Sequence, residues 1–172
     1  GLRPEAADEA RQVEDACTRL GVRHATLTWI RPETSKPVAQ AEARQARHGL
    51  LARWALASGA SVLMLGHTRD DRIETFLMRA RQGSGWHGLA GLLPSAPSPV
   101  WPDGRGLRLA RPLLAFGRDD LRGLLNGRAV SWIEDPSNLA DRFERVRTRA
   151  LTKRMDGASL GQTLRVMDGL AA

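Results

Sequence analysis

Residues 61–75 read SVLMLGHTRDDRIET, a stretch that joins an apolar run to the acidic start of a helix. The apolar run, Ser61–Leu65, is typical of a buried strand, and a glycine ends it. In open α/β sheets, ligands bind at the carboxyl ends of such strands. The helical spacing brings one imidazole and three carboxylates to this edge: His67, Asp70, Asp71 and Glu74. Such a cluster can hold a metal ion or a cationic substrate such as an amine.

The composition of the 172-residue chain is that of a soluble globular protein, with 42% hydrophobic and 26% charged residues. No apolar run approaches the roughly 18 residues of a membrane-spanning helix, and no signal-peptide pattern opens the sequence. The single cysteine, Cys17, excludes an internal disulfide and a Cys-x-x-Cys site. These features predict a cytoplasmic protein with no membrane partner, and a buried, structural role for Cys17.

The net charge of +7 comes almost entirely from arginine, since Lys36 and Lys153 are the only lysines among the 26 basic residues. Arginine binds phosphate as a planar fork and stacks on bases, which favours a nucleic-acid partner. A genome that prefers arginine codons explains the same composition equally well. The charge therefore indicates nucleic-acid binding without establishing it.

Strands alternate with helices along the chain, a pattern that predicts a Rossmann-like parallel sheet with helices on both faces, an α/β fold. Residues 94–106 carry four prolines and an Asp-Gly pair, which indicates either a flexible excursion or a hairpin tip. The predicted strands are His24–Ile30, Ser61–Leu65 and Leu107–Leu114. The predicted helices are Pro4–Leu20, Val38–Ser58, residues 69–82, Arg118–Leu125, Arg142–Arg154 and a last one from about Ala158. Typical sheets have about five or six strands, so this count suggests that a part of the sheet is missing.

Four motifs follow one another along the chain: Gly66–Thr75, Gly83–Gly91, Arg111–Leu114 and Trp132–Asn138. In this order and spacing they resemble the tRNA(Ile)-lysidine synthetase family. The resemblance covers roughly residues 1–150 and is specific because four ordered motifs carry it. It implies a partial N-type ATP pyrophosphatase domain over residues 1–155. Residues 156–172 are then a C-terminal helix that could link to a further region.

The resemblance implies a ligase that forms a carbon–nitrogen bond in the cytoplasm. Members of this family use ATP and Mg²⁺ to adenylate the C2 oxygen of the wobble cytidine in an isoleucine tRNA with a CAU anticodon. The ε-amine of free L-lysine then displaces AMP and leaves lysidine. The implied partners are tRNA(Ile), L-lysine and ATP, and the sequence leaves open whether the chain forms a homodimer.

The chain departs from the family pattern at the ATP site. A Ser-Gly-Gly-x-Asp-Ser loop, whose backbone amides cradle the pyrophosphate in the family, does not occur in this sequence. We therefore expect an N-terminally incomplete domain that is inactive as given. Arg72 stands where the family usually has glutamine, and Phe143 and Val146 replace a tyrosine and an asparagine.

The acidic helix start carries the two residues to which the resemblance assigns catalysis and recognition of lysine, Asp71 and Glu74. The same resemblance implies that His67 assists adenylation and that Asp70 binds Mg²⁺ near ATP. The carboxylates also have a structural alternative. Asp71 lies three residues after Thr68 and fits a capping box, and Asp70 fits an N-cap.

Basic residues supply the remaining predicted contacts. By resemblance, Arg47 contacts ATP phosphate or the activated intermediate, and Arg145 neutralises phosphate charge near the reacting centre. One helical face is predicted to bind the tRNA backbone: Arg142, Arg145, Arg149 and Lys153. An ordinary solvated helix face is the alternative for both sets.

Two other functions compete with the ligase. Another N-type ATP pyrophosphatase, such as a tRNA thiolase, needs cysteines for sulfur or an iron–sulfur cluster, and Cys17 alone cannot supply them. A non-catalytic RNA-binding remnant fits a chain without a phosphate loop. The presence of His67, Asp71 and Glu74 favours an enzyme.

Overall fold

The computed structural model describes residues 6–30, 40–132, 148, 151–152 and 154–171. In this part of the chain the elements alternate much as the sequence predicts. They are α1 (Ala6–Arg19), α2 (Gln40–Ala57), β1 (Val62–Met64), α3 (Arg69–Arg81), α4 (Trp86–Leu89), β2 (Ser95–Pro97), β3 (Arg108–Ala110), α5 (Arg118–Gly127) and α6 (Gly157–Ala171). Within the predicted helix 142–154, the described residues 148, 151 and 152 are helical.

The three strands form one sheet in the order β1-β3-β2. β1 and β3 run parallel, because Arg108 N–H donates to the Ser61 carbonyl at 2.9 Å and Leu65 N–H donates to the Ala110 carbonyl at 2.8 Å. This pair confirms the parallel sheet expected from the alternation of strands and helices. Parallel strands need a long crossover, and the chain between β1 and β3 includes helix α3.

β2 and β3 form an antiparallel hairpin, which differs from the all-parallel expectation. Ser98 N–H donates to the Leu107 carbonyl at 2.9 Å, and Arg111 N–H donates to the Pro94 carbonyl at 2.8 Å. The predicted hairpin tip is thus confirmed. A hairpin turn reverses the chain, so a strand joined to β3 by one can pair with it only in the antiparallel sense.

The chain divides into two compact units, and the first comprises residues 1–63 and 97–108. Its buried core joins α2 to the start of β3 through Ala52, Ala55 and Leu107, with Ala60 and Leu63 packed against them. Small alanines on one face of α2 allow the close approach of Leu107, which is 1% exposed. Arg53 and Asp103 form an ion pair at the surface of this unit.

The second unit comprises residues 64–96 and 109–172. Here α4 packs against both α3 and α6, and α3 packs against α6. Its buried hydrophobic side chains are Ile73, Ala90, Leu92, Leu109, Leu114 and Met167. Arg72 of α3, 9% exposed, pairs with Asp168 of α6 at 2.7 Å. The predicted last helix is therefore confirmed and packed, while its role as a linker stays a prediction.

Three predictions from the sequence are wrong, and they concern residues His24–Ile30, Cys17 of α1 and the burial of β1. His24–Ile30 is not a strand, because it forms no ladder with any described residue, and Ile30 is 87% exposed. Cys17 is half-buried rather than buried, since no residue of α1 is buried. β1 is not buried on both faces: Leu63 packs inward, whereas the alternating Val62 and Met64 are exposed.

No helix within the described residues is both long and apolar enough to cross a membrane.

Candidate active site

The start of α3 is built by a capping box between Thr68 and Asp71. Thr68 has extended backbone, and its hydroxyl oxygen accepts a hydrogen bond from the Asp71 N–H at 3.4 Å. The Asp71 carboxylate accepts from the Thr68 N–H at 2.8 Å and from the Thr68 hydroxyl at 2.9 Å. The capping alternative for Asp71 is therefore confirmed. Thr68, not Asp70, is the N-cap, because its hydroxyl reaches the exposed N–H groups of the first turn.

Capping occupies only one oxygen of Asp71, and the other belongs to a buried charge cluster. Arg118, the first residue of α5, donates from Nη2 to Asp71 Oδ1 at 2.7 Å. Its Nη1 donates to Glu74 Oε1, also at 2.7 Å. One guanidinium thus joins two carboxylates that lie three residues apart on α3. We call Arg118, Asp71 and Glu74 the carboxylate–arginine cluster.

Sequence reasoning missed Arg118 entirely. Nothing in the local pattern distinguishes it from the other arginines, since it simply begins a short amphipathic helix after Gly117. The partners lie 44 and 47 residues earlier in the chain. Only the packing of α5 beside α3 brings them together, so no helical spacing could have revealed the contact.

The cluster is largely removed from solvent. The side chain of Glu74 is 1% exposed, that of Asp71 13% and that of Arg118 25%. Burial by itself lowers the pKa of the Arg118 guanidinium, but the hydrogen bond and charge of Glu74, with those of Asp71, outweigh it. The net result is a pKa above the ordinary arginine value, so Arg118 stays a cation throughout the working pH range.

Asp70 ties the starts of the two helices together rather than capping its own. Its carboxylate accepts from the Arg118 backbone N–H at 2.8 Å, the first N–H of α5. In return, the Arg69 N–H at the start of α3 donates to the Phe116 carbonyl at 2.9 Å. These reciprocal bonds fix the position of the Arg118 backbone. Asp70 therefore lies at the N-terminal ends of both helices, where the helix dipoles stabilise a carboxylate.

A second carboxylate completes the start of α5. Asp120 accepts from the Gly117 N–H at 2.7 Å and from the Arg69 guanidinium at 3.2 Å. A Cβ at Gly117 would come within 2.6 Å of the Arg69 side chain. Glycine at this position therefore leaves room for the Arg69 guanidinium.

His67 lies three residues after the end of β1 and directly precedes the cap residue Thr68. Its side chain is half-buried, and chain connectivity alone places it next to the capping box. Its assignment to adenylation stays a prediction. Arg72, which stands where the family usually has glutamine, faces α6 and pairs with Asp168.

The described residues offer a poor fit to a dedicated metal site. No group of three or more histidine, cysteine, aspartate or glutamate side chains in this part of the chain could hold a metal ion. Asp71 and Glu74 each give an oxygen to Arg118. Asp70 alone could contribute one carboxylate, which suffices only for a magnesium ion whose other ligands are water and substrate phosphate.

The basic residues predicted from sequence are only partly placed. Arg47 is exposed on α2 in the first unit. The predicted tRNA-binding face, Arg142, Arg145, Arg149 and Lys153, lies outside the described residues. The structure therefore brings together Asp70, Asp71 and Glu74 at the helix starts and leaves the role of the basic residues as a prediction.

The carboxylate–arginine cluster is suited to binding a cationic amine. Two carboxylates and one guanidinium meet in a site that excludes most water. A charge-assisted hydrogen bond in such surroundings is stronger than one between neutral groups. An ammonium group would therefore be a strong hydrogen-bond donor to these carboxylates.

Comparison with known proteins identifies a family and several relatives of this chain. The family model of the PP-loop domain matches residues 1–155. The chain is 49% identical over 151 residues to a tRNA(Ile)-lysidine synthase of Hyphomonas neptunium, with 88% of this chain and 40% of that protein covered. It is 42% identical over 153 residues to the Zymomonas mobilis protein of the same name, with 89% and 46% covered. The chain thus spans less than half the length of these curated relatives.

A solved structure shows the same fold at low sequence identity. The U34-tRNA thiolase NcsA of Methanococcus maripaludis matches 99% of this chain and 59% of its own length, with a TM-score of 0.77 and 15% identity. This likeness supports the α/β, Rossmann-like architecture and nothing finer. Taken with the family match over residues 1–155, it shows that the chain belongs to the PP-loop domain family, with tRNA(Ile)-lysidine synthases among its relatives.

Proposed function

We propose that the chain carries the lysine-binding part of a tRNA(Ile)-lysidine synthase. The reaction is an ATP-dependent ligation of L-lysine to C2 of the wobble cytidine in a tRNA(Ile) with a CAU anticodon. The relatives that match most of this chain carry that name, and PP-loop domains imply use of ATP. The proposed location is the cytoplasm, where tRNA and ATP are present.

The observation that carries this proposal is the carboxylate–arginine cluster. Glu74 is almost fully buried and accepts from Arg118 at 2.7 Å, so the fold pairs a carboxylate with a guanidinium in a dry site. Burying charge is costly, and proteins retain it chiefly where it is paired or used. We propose that the amine of the substrate is the ligand of these carboxylates.

The proposed chemistry proceeds in two balanced steps. First, the C2 oxygen of cytidine attacks the α-phosphorus of ATP, and pyrophosphate leaves. The ε-amine of lysine then attacks C2, the C2–oxygen bond breaks, and AMP leaves with that oxygen. Because only a neutral amine is nucleophilic, a nearby carboxylate that accepts its proton assists the second step. We assign this role and the binding of the ammonium to Glu74 and Asp71.

The remaining residues receive supporting roles. His67 and Arg145 would act on the nucleotide during adenylation, and Arg47 would contact its phosphate. Asp70 would hold Mg²⁺, which neutralises phosphate charge when bound with ATP. The basic face of residues 142–153 would contact the tRNA backbone.

The test is transfer of labelled lysine to a CAU-anticodon tRNA(Ile) by the longest protein that the gene of this chain encodes. We expect transfer that needs ATP and the wobble cytidine. Glu74→Gln should reduce transfer at least ~100-fold, since the neutral amide neither balances the ammonium nor accepts its proton, while tRNA binding stays near the wild-type level.

Glu14→Gln, an exposed change of the same type on α1, is the matched control and should transfer lysine normally. Normal transfer by Glu74→Gln would exclude Glu74 from the reaction. If the unaltered protein binds the tRNA but never transfers lysine, the RNA-binding alternative replaces the ligase.

A further inference from the structure

We infer that the hairpin tip, residues 98–107 between β2 and β3, binds an unpaired base of an RNA. The ring of Trp101 stacks on the base, and the guanidinium of Arg105 contacts the adjacent phosphate. The hairpin tip belongs to the first unit and contains no member of the carboxylate–arginine cluster. The choice of RNA as the partner rests on the proposed function, whereas the surface itself is argued from its own geometry and charge.

The first support is the exposure of Trp101. This residue is 73% exposed, although an indole gains more than most side chains from leaving water. Tryptophan is also enriched where proteins meet their partners. A single exposed apolar side chain is common on protein surfaces, so exposure alone does not identify the partner.

The second support is the arginine beside this ring. The guanidinium carbon of Arg105 lies 5.6 Å from the centre of the Trp101 ring, within the range of a cation–π contact. Arg105 is itself exposed. Proteins that bind single-stranded nucleic acids combine these two groups, because an aromatic ring stacks on any base while a nearby cation contacts the backbone. The pair therefore fits an unpaired nucleotide.

The third support is the ordered turn that carries both side chains. Gly104 N–H donates to the Val100 carbonyl at 2.9 Å, and Arg105 N–H donates to the Pro102 carbonyl at 3.0 Å. These bonds hold the backbone on either side of Trp101. A surface that is ordered before binding loses little conformational entropy when the partner arrives.

The end of the hairpin tip is anchored in the core of the first unit. Leu107 is 1% exposed and packs with Ala52 and Ala55 of α2. Its N–H donates to the Gly104 carbonyl at 3.1 Å, and its carbonyl accepts from the Ser98 N–H at 2.9 Å. The hairpin tip is therefore a fixed part of the first unit that presents an exposed ring.

The charge of the hairpin tip suits a phosphate. Asp103 is its only acidic residue, and this carboxylate pairs with Arg53 of α2. The positive charge of Arg105 is therefore not offset from within the hairpin tip. The next residue after Leu107 is a second exposed arginine, Arg108. An RNA backbone is polyanionic and is attracted to such a surface.

The experiment measures the Kd for a CAU-anticodon tRNA(Ile) transcript by fluorescence anisotropy, with the longest protein that the gene of this chain encodes. Trp101→Leu keeps an apolar side chain but removes the flat ring, and it should raise Kd at least ~5-fold. Trp101→Phe should recover most of this loss, because its ring can still stack. Circular dichroism checks that both variants are folded.

The salt dependence of binding tests the role of Arg105. Arg105→Gln should raise Kd and flatten the plot of log Kd against log salt concentration, because one phosphate contact is lost. Trp101→Leu should leave that slope unchanged, since stacking releases no counterions. Arg23→Gln removes the same charge from another exposed position of the first unit and is the matched control. It should change neither Kd nor slope.

A second pair of probes tests whether the ring binds an unpaired base. Trp101→Leu should weaken binding of a single-stranded oligonucleotide with the anticodon-loop sequence, but not of an RNA duplex of equal length, whose bases are already stacked. An equal loss with both probes would overturn the inference, and so would an equal loss for Trp101→Leu and Trp101→Phe. Unchanged RNA binding by Trp101→Leu, with a lower mass in sedimentation, would assign the hairpin tip to contacts between copies of the chain.

Lysine transfer separates failure of this inference from failure of the proposed function. Binding of RNA needs neither ATP nor lysine, so binding that depends on Trp101 supports the inference even if no lysine is transferred. Normal binding and normal transfer by Trp101→Leu would overturn the inference and leave the proposed function intact. An unaltered protein that binds neither the tRNA nor the single-stranded probe would also overturn it.

Discussion

Each unit of this protein holds an arginine–carboxylate contact, and the two contacts differ in almost every physical respect. In the first unit, Arg53 of α2 reaches Asp103 of the hairpin tip, and their side chains are 57% and 36% exposed. In the second, Arg118 reaches Asp71 and Glu74, and no member of that cluster is more than 25% exposed.

The difference shows that the stability an ion pair contributes depends on how far the pair is buried. Water and salt screen an exposed pair, which contributes about 0–1 kcal/mol at most sites. A buried cluster is costly to assemble, yet removing one member leaves the others uncompensated. We therefore expect loss of the Arg53–Asp103 contact to change the free energy of unfolding little. Loss of Arg118 from the carboxylate–arginine cluster should lower it strongly.

The largest effect that tests this comparison is on the free energy of unfolding. Arg118→Met should lower it by about 3 kcal/mol, because Glu74 and Asp71 would lose the charge that balances them. Arg53→Met in the other unit should lower it by no more than about 0.5 kcal/mol. Urea denaturation of both variants measures the difference.

Adding Glu74→Leu to Arg118→Met sharpens the result. The double variant should be destabilised by less than the sum of the two single changes, because Glu74, the most deeply buried carboxylate, no longer loses its guanidinium partner and only Asp71 does. Equal losses for Arg118→Met and Arg53→Met would contradict the contrast between the two units.

A smaller effect compares the space around two glycines, one in each unit. A Cβ at Gly104 in the hairpin tip would collide with Ser98 and come within 2.7 Å of the Val100 carbonyl oxygen. Gly104→Ala should therefore cost about 2 kcal/mol of unfolding free energy. Gly123 lies within α5, and a Cβ at this position would meet no atom within 4 Å, so Gly123→Ala should stabilise by about 0.5–1 kcal/mol. Opposite shifts of the melting temperature are expected, and shifts of the same sign would disprove the steric distinction.

The smallest effect concerns a carboxylate outside the cluster. Asp156 accepts from the Ser159 N–H at 2.7 Å just before α6, and this bond lowers the pKa of Asp156 below its ordinary value. Its contribution is present above the unfolded-state pKa, near 3.8, and is lost as the pH falls through the lowered folded-state pKa. The protection of the Ser159 amide from exchange, relative to a free amide at the same pH, should therefore fall only in strong acid, and Asp156→Asn should remove this pH dependence of the protection. A step at neutral pH would contradict the assignment.

Local features of the fold could be predicted because they depend on neighbours in sequence. The helices α2, α3 and α5 begin and end within about two residues of the predicted bounds, and the Thr68–Asp71 capping box needs only adjacent residues. The sequence also predicted that Asp70, Asp71 and Glu74 lie close together, because all three follow the junction between the strand and helix α3. Such features follow from helical periodicity and capping, which act over one or two turns.

Features that depend on distant packing could not be predicted. The alternating pattern of His24–Ile30 indicates a strand, but a strand also needs a partner, which the described residues do not provide. The exposure of Val62 and Met64 likewise depends on what covers each face of the sheet. Arg118 is the clearest case, since its partners lie 44 and 47 residues earlier in the chain.

The separation of 44 positions between Glu74 and Arg118 also has a consequence for synthesis on the ribosome. Translation at about 5–20 residues per second separates the two by roughly 2–10 s. The capping box can form at once, because its residues are made together, but Glu74 stays hydrated until α5 is made. The order of synthesis thus delays the burial of the proposed amine site until the chain has reached α5.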